Sequence, residues 1–211
     1  MRRGGSLPRL PLISFSIMWW RRDVKMGTTR FKEAANEDAL RCRILAISRL
    51  SACSGGDTME DPLKHLKAAI GYLDIGMPQD AWDELEKLPP ALKERDAVHD
   101  LQIEIYQRLG KWESAWMLAE SLAKRSPEDP NWWFHWALSL RRGKSVESAQ
   151  AVLVEAATVH PDMALIPYHL ACYSCLLGSL EAARVLLARA FSMNDHLKEK
   201  ALCDPDLEQI R

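Results

Sequence analysis

Residues 130–161 read PNWWFHWALSLRRGKSVESAQAVLVEAATVHP. Trp133, Trp136, Ala137 and Leu140 fall at i, i+3, i+4 and i+7, which is one face of an α-helix. Val146, Ala149, Leu153, Ala156 and Ala157 line a second helix. Gly143 lies between the two, and Pro161 closes the pair. A hairpin this short cannot bury its apolar face alone, so it needs neighbours on either side.

Those neighbours are visible as a period. Ala81, Ala115, Ala149 and Ala183 recur at equal intervals of 34 residues. Gly76, Gly110 and Gly178 precede their alanines by five residues, where a left-handed residue ends a helix. Gly143 precedes its own by six. Leu85, Leu153 and Leu187 follow by four, with Ala119 in the second copy, and Pro127 and Pro161 follow by twelve. Alanine recurs because a larger side chain would push the two helices of each hairpin apart. Four hairpins over about residues 61–194 are expected, an all-α solenoid, with Asp61 and Pro62 opening the first helix.

On these residues the chain resembles the tetratricopeptide repeat family. The third unit matches its pattern with Trp133, Ala149 and Pro161. The second matches with Tyr106, Ala115 and Pro127, the first with Tyr72 and Ala81, and the fourth with Leu170 and Ala183. The small glycine of each first helix is replaced by Ala69, Ile103, Ala137 and Ala171, and the first unit breaks early at Pro89 and Pro90. The resemblance implies an alpha-alpha superhelix (a TPR solenoid) whose first helices line a concave groove. Residues 59–195 form the solenoid in this reading, and residues 196–211 a helical C-terminal cap over the last hairpin.

Equivalent positions then become neighbours across the groove. One row is Leu66, Asp100, Phe134 and Tyr168; the next is Lys67, Leu101, His135 and His169; a third is Ile70, Glu104, Leu138 and Cys172. Further on come Leu73, Gln107, Arg141 and Cys175, then Asp74, Arg108, Arg142 and Leu176. The half built by the third and fourth units is aromatic and cationic, the composition in which binding energy concentrates. The expected partner-contacting residues are Arg108, Asn131, Phe134, His135, Arg141, Arg142, Tyr168 and His169. The plainer alternative is that Phe134 and Tyr168 pack against each other and the cap while the arginines are merely solvated. Leu66 and Ile70 stand where some family members carry a lysine and an asparagine that clamp a terminal carboxylate, so that clamp is not expected. Of the tryptophans, Trp82, Trp112, Trp116, Trp133 and Trp136 read as packing positions, and Trp132 alone is free to face outwards.

Charge and composition narrow the function class. The 211 residues are 47% hydrophobic and 27% charged, enough for one ordinary folded domain. A net charge of -1 conceals an asymmetry: residues 1–58 carry eleven Lys or Arg against five Asp or Glu, and the remainder seventeen against twenty-four. An acidic body without a basic stripe is not a nucleic-acid binder. The five cysteines have no framework spacing and read as reduced thiols of a cytoplasmic protein. No apolar run reaches membrane-spanning length; Leu10 to Trp20 is interrupted by Pro11, Ser14 and Ser16. Arg21, Arg22 and Asp23 follow it where a signal peptide needs small residues. Residues 1–58 read as a basic extension, with a helix over Phe31 to Leu50, a Ser/Gly linker from Ser51 to Thr58, and a native start at Met59 or Met26.

Little here is catalytic. Cys172 and Cys175 form a C-x-x-C inside a helix, without the strand a redox pair needs or a second pair to complete a zinc site. His135, His169 and Cys172 are the group that would hold a metal if the groove brought them together. Gly143-Lys144-Ser145 lacks the strand and upstream glycine of a phosphate loop. The chain is read as a non-enzymatic protein-interaction scaffold or adaptor without cofactors, binding an acidic or apolar segment of a partner, with self-association open. The alternative among binding proteins is a chaperone for secreted proteins of the small-TPR type.

Overall fold

The computed structural model describes residues 62–210. The helix expected over residues 31–50, the linker, the Asp61 cap and the proposed starts at Met26 and Met59 lie outside the described residues. Four hairpins follow in chain order: α1 (Pro62–Asp74) with α2 (Pro78–Glu86), α4 (Asp96–Arg108) with α5 (Trp112–Arg125), α6 (Pro130–Gly143) with α7 (Val146–Val159), and α8 (Leu165–Leu176) with α9 (Leu180–Met193). A single turn, α3 (Pro90–Lys93), fills the early break of the first unit, and α10 (Leu197–Leu202) and a 3-10 helix (Pro205–Ile210) close the chain. Among the described residues there is no strand, and no helix is long and apolar enough to cross a membrane.

Each part of the period has a physical role. Ala81, Ala115, Ala149 and Ala183 are all fully buried, which is the close helix approach that only a methyl group permits. Ala69, Ile103, Ala137 and Ala171 on the first helices are buried as well, so three of the four departures from glycine keep a small residue at a tight position. Gly76, Gly110 and Gly178 have φ of 81°, 71° and 77°. Behind each, the next residue's N–H reaches back to close the helix: Met77 to Tyr72, Lys111 to Tyr106 and Ser179 to Ser174, each at 2.8 Å. Gly143, one residue out of phase, does something else. It is the last residue of α6, and a Cβ there would collide with the Trp112 Cβ and come within 2.8 Å of Trp116 Cζ3.

The core runs along the stack in two parts that share α4. Val98, Leu101 and Ile105 face the first hairpin, with Leu66, Ile70, Leu73 and Leu85. Ile103 faces the second part, which continues through the remaining hairpins to Leu197 and Leu207 in the C-terminal segment. The turns between units are tied by polar contacts: the Trp133 Nε1–H donates to the Pro127 carbonyl at 3.0 Å, and the His160 ring reaches the same carbonyl at 2.9 Å. Trp132, free to face outwards on the sequence reading, is buried near His135.

Candidate functional site

The first helices present successive polar rows to one another, and the rows are bonded across the stack. His135 Nε2 lies 2.8 Å from Asp100 Oδ1; a carboxylate only accepts, so Nε2 carries the proton. Arg108 donates to Glu104 at 2.7 Å and to the Leu73 carbonyl at 3.0 Å, joining α4 to α1. The Gln107 amide donates to Ser139 Oγ at 2.9 Å, and that hydroxyl donates to the His135 carbonyl at 2.7 Å. Phe134 meets His169 edge-on at 5.4 Å, and His169 meets Tyr168 in the same manner at 5.7 Å. The His135–Asp100, Arg108–Leu73 and Phe134–His169 contacts each run between neighbouring rows of adjacent units, one residue off the 34-residue period.

At the far end the chain's own C-terminal segment is seated against the α8 and α9 hairpin. Arg141 grips Asp206 with both Nη atoms, at 2.7 and 2.8 Å. The Tyr168 hydroxyl donates to Asp204 Oδ2 at 2.7 Å, and the Cys172 thiol lies 3.7 Å from the same oxygen. Asp204 Oδ1 accepts the Asp206 N–H at 3.1 Å, which holds the two carboxylates in one turn. Lys200 sits 4.7 Å above the Tyr168 ring and Arg141 5.5 Å from that of Tyr173. Leu207 is 1% exposed.

The electrostatics follow from burial. Burial would lower the Arg141 guanidinium, but its bonds and charge attraction to Asp206 outweigh this and raise it. Burial pushes the Tyr168 phenol up, and its bond to Asp204 adds to that. Burial likewise raises the Asp204 carboxyl against the opposing Tyr168 hydrogen bond. The Cys172 thiol is pushed well up, by burial first and then by Asp204, so it stays protonated and is a poor nucleophile. Cys172, Asp204 and Asp206 do bring three potential ligand atoms within 4.8 Å. Arg141 takes both oxygens of Asp206, so the contact observed here is an ion pair.

The eight sequence-expected site residues do not share one environment. Arg141 and Tyr168 hold the C-terminal segment, while Arg108 and His135 are bonded to Glu104 and Asp100 within the stack. Asn131 is buried at the start of α6. Phe134 and His169 are half-buried beside each other, and Arg142 is exposed. His135, His169 and Cys172 each face a different partner: Asp100, the Phe134 and Tyr168 rings, and Asp204. The residues that the sequence reading missed are Asp204, Asp206 and Leu207. Their signal was present in the form of two acids flanking Pro205 in a chain whose groove displays arginines, but no period linked them to it.

His169 supplies a test of this packing. Burial, then Lys200 and Arg141, hold its imidazole well below 6.5. The folded protein keeps the ring neutral while the unfolded chain takes up a proton, so the contribution is intact above pH 6.5 and is lost as pH falls towards the depressed folded value. Urea midpoints taken from about pH 7 down to about pH 5 should fall more steeply for the wild type than for His169→Gln. Parallel titrations would remove this ring as the cause.

No family model and no curated protein matches the sequence. Among solved structures the chain is similar to "MamA MSR-1 C2", at 18% identity over 78% of this chain and 98% of that one, with a TM-score of 0.53. It is also similar to "MamA RS-1 ArsTM double mutant", at 14% identity over 87% and 97%, with a TM-score of 0.52. The fold is a tetratricopeptide-like solenoid. At such identities the likeness carries architecture alone, and any function must be argued from this chain's own side chains.

Proposed function

We propose that this protein is an interaction module that takes a segment of a partner protein on the face built by its first helices, around Phe134, His169 and Arg142. Arg108, Asn131 and His135 support that face, and Arg141 and Tyr168 lie at its C-terminal end. The observation that carries the reading is the seated C-terminal segment: a short acidic and apolar stretch fits this face through a forked arginine contact, a tyrosine hydroxyl and a buried leucine. Arginine and aromatic side chains arranged in this way are where peptide affinity concentrates.

Site-specific crosslinking tests it. A photoreactive residue replacing Phe134 should capture a partner from native extract, whereas one replacing the exposed Met117 on α5 should not. Capture from position 117 and not from 134 would move the interaction to the second helices and sink the reading.

A further inference from the structure

The C-terminal segment is anchored in an unusual manner for a cap. Covering the end of a helical stack needs only apolar side chains, and replacing a buried ion pair by apolar residues of similar volume is often neutral or stabilising. Here Leu207 supplies that apolar cover, yet two carboxylates, Asp204 and Asp206, are also brought into the stack and met by Tyr168 and Arg141. The segment is short, a six-residue 3-10 helix after a turn at Asp204. Its polar anchors do not belong to the 34-residue repeat. What those anchors contribute is selectivity, since a forked guanidinium recognises a carboxylate by geometry as well as charge.

We propose that Arg141 and Tyr168 form the receptor for an acidic segment of the partner, two carboxylates spaced i and i+2 followed by a leucine-like residue, and that Asp204–Leu207 occupies this receptor as an internal competitor. This rests on the interaction-module reading above and names the chemistry of its ligand. The receptor accepts one carboxylate at the Arg141 fork, one at the Tyr168 hydroxyl, and an apolar side chain in the Leu207 position. Charge complementarity favours such a ligand: Arg141 and Lys200 flank the seat, and the exposed Arg142 adjoins it in sequence. A tethered segment competes at a high effective concentration, so an external peptide gains access mainly when the tether's own contacts are weakened.

The test uses the full chain and, as probe, a labelled peptide with the sequence of residues 204–210, beside a version with asparagine for both aspartates. Asp206→Ala should bind the acidic peptide at least about tenfold more tightly than the wild type. The asparagine peptide should not bind, and Arg141→Ala added to Asp206→Ala should abolish binding. Asp206→Asn, which keeps the side-chain volume, replaces Asp206→Ala if circular dichroism shows lost helicity. A second readout is the Cys172 thiol, which is buried under Asp204: it should be alkylated at least about tenfold faster in Asp206→Ala than in the wild type, and the acidic peptide should restore its protection. Equal affinity of wild type and Asp206→Ala, binding that survives loss of Arg141, or no binding to any variant overturns the proposal. A partner captured from position 134 regardless of Asp206 would sink the competitor while leaving the interaction module standing. Absence of capture at 134 alongside tail-dependent peptide binding would sink the interaction module and, with it, the competitor role, leaving the seat as an intramolecular anchor for the chain's own segment.

Discussion

Gly143→Ala is expected to destabilise the protein by about 1–3 kcal/mol, while the same change at Gly71 stabilises it by roughly 0.5–1 kcal/mol. Both glycines lie in helices, α6 and α1, so intrinsic propensity favours alanine at each. Their surroundings differ. A Cβ at Gly71 meets no atom within 4 Å. At Gly143 it meets the Trp112 Cβ, an atom fixed to its own backbone, and Trp116 Cζ3 at 2.8 Å. Trp112 cannot rotate its Cβ away, so α5 and α6 would have to separate at the junction between the second and third hairpins. Thermal melts of the two variants should move in opposite directions by a few degrees, at about 2–4 °C per kcal/mol. A shift of the same sign for both would show that the Gly143 junction relaxes without cost.

Arg141→Ala is expected to cost more, about 3–5 kcal/mol, because it leaves a carboxylate buried without its counter-ion. The Arg141 side chain is 17% exposed and that of Asp206 11%, so solvent screens the pair only in part. The loss should fall first on the segment that Arg141 holds. Hydrogen exchange ought to accelerate across residues 204–210 while α6 and α7 remain protected. Arg141→Lys should give an intermediate result, since a lysine keeps the charge and loses the fork. If the amides of 204–210 stay protected in Arg141→Ala, Leu207 alone anchors the segment and the ion pair is incidental.

How far these features could be read beforehand depends on whether they repeat. The hairpins follow from Ala81, Ala115, Ala149 and Ala183, whose burial is complete. Local rules placed the helix ends at Gly76, Gly110 and Gly178, and the left-handed φ values agree. The contact of His135 with Asp100 joins adjacent rows of adjacent units, as does that of Phe134 with His169. The state of those side chains was not legible in the same way. His135 and Arg108 looked like cationic surface, yet Asp100 in the neighbouring row pairs with His135, and Glu104 one turn earlier on the same helix pairs with Arg108.

By itself the sequence determined the class of this protein: a period of 34 residues with a small residue at each helix crossing leaves a stack of helix hairpins as the arrangement that buries every apolar face. Only the tertiary structure decided what lies on the first-helix face at its C-terminal end. Arg141 and Asp206 are 65 residues apart, and Asp206 stands in a six-residue 3-10 helix outside any repeat. Periodicity describes how like elements stack, because each unit meets its neighbour through the same positions. A single non-repeating segment leaves no such trace, and its docking is settled by charge and shape complementarity that exists once the stack has formed.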